Sequence, residues 1–318
     1  MAAGNTTQIS VCPDIGGACN PFASAMLVTI SVVSVIVNLI HIVILKTMPC
    51  LAKQRCFWIL IGITSVDVFV SISYAFGVSC TMYDLQLSAD SIAGSALILI
   101  GKDSSSPCRY SVLTLASLDR FYAICRPFDY STSRLINNIG KLLLLTALIN
   151  VIIASAKVLV LPDGICLSAM FGPVFGSSAG SMIYLNVLTS LIMALAGIIT
   201  AALLVKVGVE LRRMQKRSGL TDADKELKQA SKYVIGTCIM FYSTVIPHFL
   251  FGLSFTFQKN KSASVVAIVA TTLLSLQSFY GIANVIFYAY LNPGYVKKVR
   301  YFLKRLRNAV KVSPSDNE

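Results

Sequence analysis

What most constrains this chain is the recurrence of apolar stretches long enough to cross a bilayer. A helix needs about 20 mostly apolar residues to span the hydrocarbon core. Runs of that kind lie at Phe22 to Leu45, Phe57 to Ser79, Ile139 to Leu161, Ser181 to Val205, Tyr233 to Phe257 and Ser264 to Tyr290. A further stretch, Ser91 to Ile124, is broken by Lys102-Asp103-Ser104-Ser105-Ser106-Pro107 and by Arg109. With 55% apolar and only 13% charged residues among 318, the chain has the profile of a polytopic membrane protein and not of a soluble domain. An all-α fold is expected.

Charge decides the number of crossings, because Lys and Arg accumulate on the cytosolic side. They cluster at Lys46, Lys53 and Arg55, at Arg120, Arg126, Arg134 and Lys141, between Lys206 and Lys232, and from Lys297 to Lys311, which together hold 22 of the 27 basic residues. Only Lys259 and Lys261 fall on the opposite side, while Lys102, Arg109 and Lys157 stay in or near the membrane. These clusters share one face only if Ser91 to Ile124 also crosses. Seven crossings, with the N-terminus extracellular and the C-terminus cytosolic, is the consistent arrangement. The net charge of +13 is then directed at an anionic inner leaflet, and nucleic acid is not an expected partner.

Met1 to Asn20 carries no basic n-region followed by a short apolar core, so a cleavable signal peptide is not expected. Asn5-Thr6-Thr7 and Asn260-Lys261-Ser262 are N-glycosylation sequons, both on the outer side of this topology. The nine cysteines show no C-x-x-C spacing, so neither a metal site nor a cofactor is expected. Cys12, Cys19, Cys80 and Cys166 fall outside, where up to two disulfides can form with their connectivity open. Cys50, Cys56, Cys108, Cys125 and Cys238 read as small packing residues. Glu210 to Lys232 reads as helix extensions around a hinge at Ser218-Gly219. From Tyr295 to Arg307, Val299, Phe302, Leu303 and Leu306 recur at helical spacing among basic residues, as in a helix lying along the inner leaflet. The expected division is an extracellular tail over 1–21, a seven-span domain over 22–290, and an amphipathic helix with a short tail over 291–318.

Helical rise converts position into depth at about 1.5 Å per residue. Arg109 then lies about 16 Å above Arg120 in the third span, and Asp67 of the second span lies at the same height. Asn38 and Asn284, in the first and seventh spans, fall in the same layer. Such a layer has two readings. One is structural, with amide and charged side chains joining helices in lipid. The other is a switch centre in which Asp67 is a buried carboxylate whose partner changes with conformation, Arg109 being its evident partner. Asp119-Arg120, closing the third span, likewise reads either as a snorkelling helix end or as a functional pair.

Assembled in order, these residues resemble the rhodopsin-like family of G-protein-coupled receptors over almost the whole chain. Asp119-Arg120-Phe121 is similar to the family's Asp-Arg-Tyr motif and is followed by its Ala-Ile-Cys-Arg-Pro run. Asn38 and Asp67 match the polar residues of the first two helices, and Phe241 and Pro247 fit the spacing of the sixth. Asn284-Val285-Ile286-Phe287-Tyr288 resembles Asn-Pro-x-x-Tyr with Val for Pro, and Leu291-Asn292-Pro293-Gly294-Tyr295 resembles the start of the eighth helix. The departures are Val245 at the usual switch Trp, no Pro in the fifth helix, no Trp in the fourth, and Ser95 at the usual disulfide Cys. They are similar to those of divergent invertebrate chemosensory receptors.

The resemblance implies a non-enzymatic receptor that turns binding of an extracellular small molecule or short peptide into activation of a heterotrimeric G protein. It implies that Cys166 pairs with Cys80, since Ser95 replaces the usual partner. Arg120 would be held by Asp119 at rest and released when the sixth helix swings out about Pro247, with Tyr288 supporting the open form. Arg109 stands where a small hydroxyl residue usually helps bind sodium beside Asp67, so its guanidinium is expected to replace the ion. Lys102, about 27 Å above Arg120, is the leading ligand contact, followed by Asp103, Ser106, Tyr184, His248, Phe251 and Gln277. Lys102 reads either as the contact of an acidic or carbonyl-bearing ligand, in place of an amine, or as a structural Lys paired with a neighbouring helix. The seventh span lacks a Lys, which excludes an opsin. The runner-up is a transporter or channel, of whose broken helices only Lys102 to Arg109 gives a hint, and no internal repeat supports it. No paired acids, His-x-x-x-His or Gly-x-Ser-x-Gly occur within a span, which disfavours an intramembrane enzyme.

Overall fold

The computed structural model describes residues 21–47, 56–82, 92–159, 180–216, 222–257 and 263–311. Among them, in chain order, are α1 (Pro21–Lys46), α2 (Cys56–Met82), α3 (Ile92–Cys125), the short α4 (Pro127–Thr132) and α5 (Arg134–Asn137), α6 (Ile139–Leu159), α7 (Gly180–Gln215), α8 (Asp222–Phe257), α9 (Ala263–Leu291) and α10 (Pro293–Lys311). The seven long helices α1, α2, α3, α6, α7, α8 and α9 form one bundle. In it α3 packs against α2, α6, α7 and α8, while α1 and α9 pack against each other and against α2.

The bundle is inverted relative to a soluble protein. Large apolar side chains such as Leu144, Leu148 and Ile152 of α6, or Leu191, Leu195 and Ile198 of α7, point outward, while Asn38, Asp67, Arg109 and Asn284 are buried. That is the arrangement expected when the solvent is lipid and ionisable groups must face the bundle interior. Over their described residues, the spans Pro21–Lys46, Phe57–Phe76, Ile139–Ala156 and Leu188–Gln215 are long and apolar enough to cross a membrane.

The polar break in the third span does not break the helix: α3 runs unbroken from Ile92 to Cys125 with Pro107 inside it. Hydropathy is interrupted there, but the backbone must stay internally bonded in lipid, so the helix continues through the polar residues. Their hydroxyls fold back onto it, Ser104 Oγ donating to the Ile100 carbonyl at 2.7 Å and Ser111 Oγ to that of Pro107 at 2.9 Å. Helix α7 continues well past Val205 to Gln215, and α8 starts at Asp222. Residues Ser218 and Gly219, the expected hinge, lie outside the described residues.

The turn after α3 is built from local rules. Pro127 opens α4 at a position where its missing N–H costs nothing. Ser133 caps α5 by accepting from the Ile136 amide at 3.5 Å. Pro293 opens α10 in the same way, and Tyr295 anchors that helix in the main apolar core with Ile44, Leu45 and Tyr288.

Candidate switch site

The centre of the bundle is an ion pair between α2 and α3. Asp67 has no exposed surface and Arg109 only 4%. Arg109 Nε donates to Asp67 Oδ1 at 2.8 Å, and its Nη2 lies 2.8 Å from the same oxygen. Nη1 donates to the Gln277 carbonyl of α9 at 3.2 Å, and the guanidinium carbon sits 5.1 Å from the centroid of the Tyr280 ring. The second carboxylate oxygen accepts from Asn284 Nδ2 at 3.3 Å. Asn284 Oδ1 in turn accepts from Tyr233 Oη at 2.7 Å and Thr237 Oγ1 at 3.1 Å, both on α8. One hydrogen-bonded chain therefore joins α2, α3, α8 and α9.

Asn38 sits beside this chain and is bonded to Ser34, which Ser71 meets in turn. Its Nδ2 donates to the Ser34 carbonyl at 2.8 Å and to Ser34 Oγ at 3.3 Å, and Ser71 Oγ donates to Ser34 Oγ at 2.9 Å. The close approach depends on Gly281: a Cβ there would stand 2.7 Å from Ser34 Oγ and 3.3 Å from Asp67 Cβ. Cation binding at Asp67 does not fit this donor set, because the Arg109 guanidinium already holds Oδ1.

At the basic end of the bundle, Arg120 Nε donates to Asp119 Oδ2 at 2.9 Å, and Arg120 Nη2 forms an ion pair with the same oxygen. Tyr130 Oη of α4 donates to Asp119 Oδ1 at 3.1 Å. Both members of the pair are buried, whereas Phe128, two residues before Tyr130, is 91% exposed. Phe121 packs against the buried group of Ile124, Val207 and Leu211, with Lys206 Nζ 5.8 Å from its ring centroid. A third polar contact lies at this end: His41 Nδ1 and Tyr295 Oη are 2.6 Å apart, and His41 meets the rings of Tyr288 and Tyr295 edge-on at 5.1 Å each.

Phe241 is buried and edge-on to Tyr110 and Tyr280, at 5.0 and 5.6 Å, one turn of α8 below the buried Val245. Pro247 lies inside α8. Of the expected ligand contacts, Gln277 belongs to the polar interior, its Oε1 accepting from Tyr74 Oη at 2.7 Å. Asp103 lines a small cleft with Pro107, Asn150 and Thr189 between α3, α6 and α7, and Ser106 is half-buried. The backbones of Lys102, Tyr184, His248 and Phe251 are helical, while their side chains lie outside the described residues, as does that of Cys80. Cys166, Asn5 and Asn260 lie outside them entirely.

Sequence reasoning missed Tyr233, Thr237, Tyr280, Tyr130 and His41. For His41 a signal exists, since it follows Asn38 by one helical step on the same face of α1.

A bundle of helices that turn apolar side chains outward around a buried acid-base pair, with a second such pair closing α3, is the arrangement of a polytopic membrane protein. The family model described as 7 transmembrane receptor (rhodopsin family) matches residues 102–288. That is more than half of the chain, and the chain belongs to this family, the rhodopsin-like or class A G-protein-coupled receptors. It is a multi-pass membrane protein with a role in receptor signalling. No curated protein matches the chain.

Proposed function

We propose that this receptor converts binding of an extracellular small molecule or short peptide into nucleotide exchange on a heterotrimeric G protein. The observation that carries the reading is the closed pair at the end of α3. Asp119 holds Arg120 with one oxygen and Tyr130 with the other, so the only Arg of this motif is withheld from a partner. That is the resting member of a two-state system, which a ligand shifts only through its differential affinity for the two states.

The topology that makes this end cytosolic is part of the proposal, as are glycans at Asn5 and Asn260, the Cys80–Cys166 disulfide, and the division at residues 21 and 290. Phe128 supports the reading, because an apolar ring 91% exposed beside the Asp119 pair offers an anchor to a partner that meets Arg120. The ligand is proposed to meet Lys102 in the outer half of the bundle, with Asp103, Ser106, Tyr184, His248 and Phe251 around it. Gln277 would act through the Tyr74 bond beneath. The Arg109 guanidinium is proposed to replace sodium at Asp67, making ligand affinity indifferent to that ion.

The test is guanine-nucleotide exchange in membranes expressing the chain, driven by a screen of acidic and carbonyl-bearing ligands. An active ligand should lose at least about tenfold in potency with Lys102→Ala, the loss of about one good charged contact. Phe128→Ala should lower exchange while ligand binding stays. Substrate flux with no exchange under any stimulus overturns the reading in favour of a transporter. Sodium-dependent affinity that disappears with Asp67→Asn overturns the ion replacement.

A further inference from the structure

The proposed function, on which this inference rests, needs Arg120 released; the family resemblance ties that to an outward swing of α8, and what holds α8 in place is left open. The face that α8 turns to α9 presents Tyr233, Gly236 and Thr237, at positions i, i+3 and i+4 of the helix. Opposite them α9 presents Asn284, Phe287 and Tyr288 at the same spacing. Two independent contacts form between these faces. In the first, the single carbonyl oxygen of Asn284 accepts both the Tyr233 phenol at 2.7 Å and the Thr237 hydroxyl at 3.1 Å. Its amide nitrogen is meanwhile committed to Asp67. In the second, the Phe287 ring lies where Gly236 has no side chain: a Cβ at Gly236 would stand 2.3 Å from ring atoms Cε1 and Cζ. Tyr233 stacks on Phe287 with 21° between planes and meets Tyr288 edge-on at 5.3 Å.

We infer that Tyr233, Gly236 and Thr237 form a latch that sets the resting position of α8, made of a two-donor clamp on Asn284 and a notch that receives Phe287. Moving the end of α8 away from α9 breaks both O–H bonds at once and leaves a buried carbonyl without donors, which is the costly way to lose a hydrogen bond. Because Asn284 also donates to Asp67, the latch ties α8 to the ion pair with Arg109. A change of the Asp67 environment therefore reaches α8 through one amide. Tyr233 and Thr237 are positioning residues here, acting through Asn284 and the placement of α8.

The experiment measures α8 directly and needs no G protein. Nitroxide labels at the exposed positions Lys141 of α6 and Lys232 of α8 report the separation of the two helix ends in purified receptor without ligand. Tyr233→Phe with Thr237→Val keeps both shapes and removes both donors. It should raise the ratio of longer-distance to resting population about tenfold, equivalent to about 1.4 kcal/mol. Gly236→Ala should produce the same shift by steric displacement, and adding Phe287→Ala should relieve the displacement and let the clamp on Asn284 reverse most of it. If the double variant proves unstable, Thr237→Val alone and the Gly236/Phe287 pair remain as tests. Unchanged distances in folded Tyr233→Phe/Thr237→Val, or failure of Phe287→Ala to reverse Gly236→Ala, overturns the latch. Nucleotide exchange is measured on the same variants. Longer distances without exchange would keep the latch and overturn the coupling to a G protein.

Discussion

At the scale of single residues, the bundle turns on a buried ion pair whose worth depends on its being complete. Desolvating Asp67 and Arg109 is expensive, and their attraction returns that cost only because the Asn284 amide and the Gln277 carbonyl take up further polar atoms. Removing one partner strands the other. Asp67→Ala or Arg109→Ala should therefore each destabilise the receptor by about 3–5 kcal/mol, read as a lowered midpoint of thermal unfolding in detergent. The double variant Asp67→Leu/Arg109→Leu should recover most of that loss, since an apolar pair leaves no buried charge unpaired. The pair was legible in the sequence because helical rise fixes depth, and two opposite charges at one depth have few other partners. Tyr233 and Tyr280 were not, because rotation about the helix axis sets which side chains meet. A span that is apolar on nearly every face gives no hydrophobic stripe from which to read that rotation.

At the scale of elements, α10 is more than a basic strip laid against a membrane. Val299 and Phe302 pack onto the main core, Lys298 Nζ donates to the Thr47 carbonyl at 3.1 Å, and Tyr295 meets His41 of α1. Tyr295→Phe keeps the ring and leaves a polar atom of His41 without its partner, a loss of roughly 1–3 kcal/mol. The expected result is faster amide exchange across residues 293–311 with little change elsewhere. Burial raises the Tyr295 phenol above the usual tyrosine range. Its folded pKa thus exceeds the unfolded one, so its contribution is complete below about pH 10 and declines only above that. The docking of α10 should therefore be constant across physiological pH in the same exchange measurement. The amphipathic pattern disclosed that α10 exists, and the hydropathy of the fifth span disclosed where the membrane ends. The mixed charges of Glu210 to Lys232 read as helix extensions, and α7 does continue to Gln215. Backbone bonding does not stop at the bilayer edge, and pairs such as Glu210 with Arg213, at 3.2 Å, support the helix beyond it.

At the scale of the whole molecule, the seven-span count rested on 22 of 27 basic residues falling on one face. That asymmetry predicts two glycans. The receptor from mammalian membranes should show two glycosidase-sensitive steps in mobility, one lost in Asn5→Gln and the other in Asn260→Gln. The unbroken α3 carries that asymmetry past its own poor hydropathy, and this has a consequence for how the protein is made. During synthesis α2 precedes α3, so the carboxylate of Asp67 is in the membrane before Arg109 arrives. An Arg at mid-bilayer resists insertion by about 2.5–3.5 kcal/mol on its own. Pairing with Asp67 is then expected to lower the cost of inserting α3. In a receptor lacking the Asp67 charge, some of the nascent chains should emerge with every later loop on the wrong side and Asn260 unglycosylated.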